Sequence, residues 1–360
     1  MSVDVSQLNY VPTLAIRASE MTGLQELPEI TKNLIQPVFL LAPWANSKKL
    51  QNAIGRIEKA FPNRPFFLDI DRYYSPTNEN SAAQNEWKAL LKPEDNYSNW
   101  FNFLRDIPNA SPCVQLLDSN VDEIQQQVKN LLSLERSIAF RFELARFPKN
   151  FDQIIKMISD LGTANHVIII DAGWTNDTLT TSLELTQIVT QRMGSIDPDT
   201  PIVISYTSIP KSYVGVEGTK FTPFNNREVL DDIRRLSNRP KIIYGDWGST
   251  RPRENSMGRV PSPRIDIATP NGWVSAKNSD EEWDYSDAAN NIVNVKEWNE
   301  IASEPIWGVF RVKQTAISQN IGIHTAQANV ASRVNMHLHV QALYDNKTII
   351  PIDFDEDWQD

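Results

Sequence analysis

Short apolar runs recur along the chain at Thr13–Arg17, Pro37–Trp44, Phe66–Asp71, Cys113–Asp118, Ile138–Glu143, Val167–Gly173, Ile202–Ser208 and Lys241–Gly248. Each is rich in Ile, Val, Phe or Leu with little polar alternation, the pattern of a parallel strand covered on both faces. Helical spacing fills the gaps: Leu50, Ile54, Ile57 and Phe61 share one face, as do Ile124, Val128 and Leu131. Asn46/Ser47 and Asp118/Ser119 stand before these helices as N-caps. Strand and helix alternating until eight strands are used predicts a closed (β/α)8 barrel of the TIM type, one domain over residues 1–360. An open doubly wound sheet fits instead if one of the weaker runs, the first before the others, is not a strand.

Two segments break the alternation. Ser75–Ile107 has room for two helices parted at Pro93, and its Trp87, Trp100, Phe101 and Phe103 need a surface to cover. After the eighth run, an insertion over Ser249–Thr325 precedes a last helical pattern through Val330, Val334, Leu338 and Leu343. Within it, Asn271-Gly272 signals a hairpin turn between Ile265–Thr269 and Trp273–Ala276, and Ile306–Val312 is a further apolar stretch. The acidic tail Asp353–Asp360 reads as frayed and disordered.

Composition narrows the function classes. Lys+Arg 35 against Asp+Glu 45 leaves a net charge of -10. That balance disfavours a sequence-blind grip on nucleic acid, which needs many cations on phosphates. Only the basic loop with Arg251, Arg253, Arg259 and Arg264 could supply such a contact. The single Cys113 excludes an intramolecular disulfide and fits a cytoplasmic setting. The chain shows neither a secretory leader nor a long apolar span, so no membrane role is expected.

The chain opens Tyr10-Val-Pro-Thr-Leu, followed by Arg17-Ala-Ser-Glu20 and a helix ending before Pro37. Ser208-Ile-Pro210, Tyr244-Gly-Asp246-Trp-Gly248 and Trp273 come later. This order resembles the phage-type "beta protein" family. The resemblance implies a barrel and a place in phage–host conflict, and it names no reaction. It also implies an Arg-Gly pair soon after Trp273, where this chain runs Val-Ser-Ala-Lys277 into the acidic stretch Asp280–Asp287.

Residues two apart on a strand share a face. Asp69 and Asp71, Asp118, Arg141 and Glu143, Asp171, Asp246, and Arg17 with Glu20 just beyond thus collect at the C-terminal ends of six of the eight runs, where barrels of this kind build their sites. Asp69, Asp71, Glu143, Asp171 and Asp246 are the catalytic candidates. Arg17, Glu20, Asp118, Arg141, Tyr206, Ser208, Tyr244, Arg264 and Trp273 are the ligand-binding candidates. Paired carboxylates suit general acid–base hydrolysis, and Asp69-x-Asp71 with Asp171 or Asp246 suits Mg2+. The arginines suit a small anionic ligand. The opposing reading is a buried ion-pair network. Because acids outnumber bases there, Arg141→Met is expected to abolish function while barely changing stability.

Other signals are weaker. His337 and His339 lie two apart on a helix and point to nearly opposite sides, so joint metal ligation is not expected. Cys113 reads as core. No GxxxxGK[ST], GxGxxG after a strand, HExxH or GxSxG occurs. The function read from these residues is a carboxylate- or metal-dependent hydrolase acting through a charged pocket. The alternative is a non-catalytic sensor or partner protein, docking through exposed aromatics such as those of Asn85–Phe103.

Overall fold

The computed structural model describes residues 1–78, 80–117, 120–162, 165–254, 262–318 and 321–345. Asp118, Arg259 and the acidic tail lie outside them.

Seven of the eight apolar runs hold a strand of one parallel sheet; the fourth, Cys113–Asp118, lies just past its strand and joins the sheet only at its start, through Cys113. The strands are β1 (Tyr10–Ala15), β2 (Val38–Leu41), β3 (Phe66–Ile70), β4 (Ala110–Pro112), β5 (Ile138–Glu143), β6 (His166–Trp174) and β7 (Ile202–Thr207). A short outlying strand, β8 (Gly218–Pro223), precedes β9 (Ile242–Asp246). The sheet order is β4-β3-β2-β1-β9-β7-β6-β5. β1 pairs on one side with β2 and on the other with β9, so the weakest run is a strand and the open-sheet alternative falls. Between β4 and β5 the seam is held by a single bridge, Cys113 to Ala139, with the Val114 N–H donating to Ala139 O at 2.8 Å. The eight parallel strands thus nearly close into a barrel.

Alternation along each strand divides two apolar layers. Val11, Leu40, Phe67, Ala139, Ile169 and Val203 fill the lumen. Tyr10, Leu14, Phe39, Leu68, Phe140 and Ile170 face the surrounding helices. Cys113 is a fully buried lumen residue. The helices Ala82–Leu90 and Glu94–Arg105 flank Pro93 as expected. Their aromatics are not an exposed docking face, however. Trp87 donates its indole N–H to Leu41 O at 3.1 Å, Trp100 donates to Cys113 O at 3.0 Å, and both rings are buried.

Two caps differ from the sequence expectation. The helix Val121–Leu132 is capped by Asn120 in a reciprocal box with Glu123. The helix Gln51–Ala60 has no side-chain cap of its own and borrows one from a distant helix, the Glu86 carboxylate accepting the Leu50 N–H at 2.7 Å.

The hairpin of the insertion is β10 (Arg264–Thr269) and β11 (Gly272–Lys277); its two-residue turn is Pro270-Asn271, one residue before the expected Asn271-Gly272, with Gly272 already paired to Thr269. β8, from the connection after β7, pairs antiparallel with β11 and completes a three-stranded sheet. The last helix, Ala326–Ala342, lies between the two units. Val334 and Leu338 pack into the barrel's outer core, whereas Met336 and Val340 pack into the core of the inserted sheet. The helix is consequently buried nearly all round. No helix among the described residues is long and apolar enough to cross a membrane.

Candidate functional site

The C-terminal mouth of the barrel carries a buried charge node. Asp69 on β3, Arg141 and Glu143 on β5 and Asp171 on β6 share a parity with the lumen residues of their strands and converge. Arg141 sits at the centre with a side chain only 2% exposed. Its Nη1 lies 2.9 Å from Asp69, and its Nη2 lies 2.7 Å from Asp171 and 2.8 Å from Glu143. The acids therefore lean on Arg141. Against the expectation that Arg141 can be removed with little change in stability, this geometry predicts a cost, because an unpaired buried carboxylate is expensive.

The four inward carboxylates are not equivalent. Asp69 accepts Gln115 Nε2 at 2.8 Å, its neighbouring Ile70 N–H and Arg141. Asp171 accepts the Trp247 indole N–H at 2.9 Å, the Gly173 N–H and Arg141. Asp71 accepts Arg253 Nε at 2.5 Å and the Tyr73 N–H at 3.0 Å. Glu143 differs. Its Oε2 accepts Arg146 at 3.2 Å, but its Oε1, though close to Arg141, is buried without a hydrogen bond. Burial pushes the Glu143 carboxyl above its ordinary range, Arg141 pulls it down, and the negative charges of Asp69 and Asp171 push it up again, with a net rise. Burial likewise raises Asp71 against the pull of Arg253.

Glu143 lines a small cavity of about 20 Å³ together with Asp69, Arg72, Gln115, Arg141 and Arg146. That volume suits about one water. Arg146 stacks on Tyr73, 4.1 Å from the ring centre, and Arg72 Nη2 donates to Gln115 Oε1 at 3.0 Å. Among the described residues no group of three or more His, Cys, Asp or Glu is arranged to hold a metal ion. A guanidinium occupies the point where the acids meet.

Asp246 does not join this node. On β9 the parity is the reverse of the expected one, so Ile242 and Tyr244 pack in the outer core and Trp247 enters the lumen. Gly245 faces inward because a Cβ there would lie 2.7 Å from Val203 and 3.0 Å from Val11 O. Gly248, at φ +54, makes the turn that follows. Asp246 is enclosed under the last helix, accepting Tyr10 OH at 2.7 Å, Tyr244 OH at 2.9 Å and the Gly248 N–H at 2.8 Å, with His337 Nε2 at 2.6 Å. Burial alone would raise its carboxyl, but His337 and these hydrogen bonds outweigh burial and hold it below the ordinary value. His339, by contrast, meets Thr31 and Glu304, so the two histidines do diverge.

The remaining candidates scatter. Tyr206 faces the outer core and reaches Asn225, and Tyr244 belongs to the Asp246 network, so neither stands at the node. Trp273 packs against His337 and Phe224 in the core of the inserted sheet rather than over the mouth. Asp118 falls outside the described residues, and Val114 and Leu116, which share its parity, pack outward. Ser208 has a buried hydroxyl without a hydrogen bond. Arg17 pairs with the buried Glu20 and donates to Arg251 O at 3.1 Å, placing both at the rim. Arg264 is bound to Asp266 at 2.7 Å, and Arg253 crosses the mouth to Asp71, so neither is a free arm. Gln115, Arg146 and Trp247 are site residues that the search for strand-end charges passed over.

The chain is 28% identical over 369 residues to "Protein beta" of Enterobacteria phage P4, with 99% of each covered. Among solved structures, tryptophan synthase subunit alpha from Campylobacter jejuni is similar over 69% of this chain and 91% of its own, at 8% identity and a TM-score of 0.33. The family model described as Beta protein matches residues 10–342, nearly the whole barrel with its inserted sheet, and the chain belongs to that family.

Proposed function

We propose that the barrel mouth is a hydrolytic site for a small anionic substrate, in which Glu143 holds and delivers the proton. One observation carries this reading: Glu143 Oε1 is buried beside Arg141, 2.8 Å from its Nη2, but accepts no hydrogen bond, and Glu143 lines a water-sized cavity, while the neighbouring carboxylates have their oxygens hydrogen-bonded. A carboxyl that keeps its proton above the usual range is suited to protonate a leaving group. Arg146 and Arg72, on the same cavity, would receive negative charge, and Asp69, Asp171 and Arg141 would hold Glu143 in place. The test is a panel of phosphomonoesters, phosphodiesters, nucleic acids and glycosides, run with the wild type and Glu143→Gln. Turnover that Glu143→Gln abolishes, with the folded fraction unchanged, supports the site. Turnover unaffected by that change, or none on any substrate class, overturns it.

A further inference from the structure

The buried and half-buried guanidinium groups near the mouth are almost all matched. Arg141 has three acids, Arg253 has Asp71, and Arg264 and Arg333 share Asp266. Arg251 is the exception. It is half-buried, its Nη1 is shut away from solvent without a hydrogen bond, and among the described residues it enters no ion pair. An unmatched buried guanidinium nitrogen is costly, because its hydration is lost with nothing in return.

Its surroundings add to that cost. Arg17 is tied to the Arg251 backbone carbonyl, and Arg333 donates to Ser249 O at 2.9 Å, two residues back along the chain. Burial above all, and to a lesser degree these two guanidinium groups, lowers the Arg251 guanidinium from its ordinary value, while Glu254 and Tyr213 act the other way. Glu254 is itself held by Lys211 at 2.7 Å, and Glu20 is held by Arg17. Arg17, Lys211, Arg251, Arg264 and Arg333 thus stand against Glu20, Glu254 and Asp266, five cations to three carboxylates, a surplus of two positive charges. Arg251 follows the eighth barrel strand and Tyr213 follows the seventh, and the loops after these two strands are where barrels of this architecture often seat a phosphate.

We infer that Arg251, flanked by Arg17 and Arg333 at the seam between the barrel and the inserted sheet, is the seat of a phosphoryl dianion. The planar fork of one free arginine can grip two phosphate oxygens, and a phosphomonoester carries close to the two negative charges that the seam lacks. Pro252 approaches Gly173 and Arg253 reaches Asp71, so the segment carrying Arg251 crosses the same mouth as Glu143. The inference rests on the mouth being a ligand site and narrows its substrate class to phosphorylated compounds.

Inorganic phosphate is the probe, titrated into the full chain at constant ionic strength and followed by thermal unfolding and calorimetry, with acetate and chloride as comparison anions. A ligand that binds only the native state must raise the midpoint as its concentration rises. Wild type is expected to gain stability with phosphate but not with acetate, and Arg251→Gln to bind phosphate at least about tenfold more weakly. Without phosphate, Arg251→Gln is expected to unfold at or above the wild-type midpoint, because it removes an unmatched charge. Arg192→Gln, in the exposed pair with Asp152 away from the mouth, is expected to keep wild-type phosphate affinity, and since the readout is binding rather than turnover, failure of the hydrolase panel leaves this result standing. No phosphate-dependent rise in wild type, equal affinity in Arg251→Gln, or an equal rise with acetate would overturn the inference.

Discussion

Arg141→Met keeps most of the aliphatic stem and deletes the cation that three inward carboxylates share. What each acid retains sets the magnitude. Asp69 keeps Gln115 at 2.8 Å, Asp171 keeps Trp247 and Gly173, and Glu143 keeps Arg146 at 3.2 Å. Removing one partner of a buried pair costs about 3–5 kcal/mol, since the other charge stays desolvated. The retained bonds place the expected cost at about 3–4 kcal/mol. An unfolding entropy of ~2.1 cal/mol/K per residue gives roughly 0.75 kcal/mol/K for a chain of this length unfolding as one unit, so the midpoint should fall by about 4–5 °C. The deficit should shrink on acidification, when the stranded carboxylates take up protons, and adding Glu143→Gln should recover part of it at neutral pH. Scanning calorimetry of the single and double variants at pH 7 and pH 4 measures all three effects. A fall of under ~1 °C with no pH dependence would refute the claim that Arg141 neutralises this node.

Three further outcomes follow from the same geometry. The folded state holds the Glu143 proton more tightly than the unfolded chain, so this group's stabilisation is complete below about its ordinary value of 4.5 and is lost as pH rises through the higher folded value. Glu143→Gln should accordingly gain midpoint relative to wild type between pH 4 and pH 7, and a flat difference would contradict the raised carboxyl. Asp246 has the opposite sign: its stabilisation is present above 3.8 and lost on acidification, so Asp246→Asn should cost most at pH 7 and least near pH 3. Because its partners lie outside the mouth node, that variant should keep ligand affinity at the mouth within about twofold. Trp247→Phe leaves Asp171 Oδ1 with the Gly173 N–H alone and should cost about 1–3 kcal/mol in urea unfolding; an unchanged midpoint would show that the indole bond carries no weight.

The barrel was legible because its strands are buried on both faces, and double burial writes itself as unbroken apolar runs. β8 was not. Its Gly-Thr-Lys-Phe-Thr-Pro sequence is largely exposed at the edge of the inserted sheet, and only its pairing with β11, from the far side of the β9 crossing, makes it a strand. The cap on Gln51–Ala60 was hidden for a related reason, since Glu86 comes from another helix and no local spacing marks it.

The same double burial explains where the site reading succeeded and where it failed. On β3, β5 and β6 a charge within an apolar run marks the inward parity, because only the polar mouth can accommodate it. On β9 both parities are apolar, Ile242 and Tyr244 against Ile243 and Trp247, so Asp246 was assigned inward by analogy with its neighbours. The informative residue was Gly245. A glycine in a central strand marks a close approach on its own face, and here that approach is to Val203 and Val11 across the lumen. Gly245 inward requires Asp246 outward and Trp247 inward, which brings the indole N–H to Asp171 and sends the Asp246 carboxylate to His337. A single small residue thus decides which of two strand-end carboxylates belongs to the mouth, and a search confined to charged side chains passes over it.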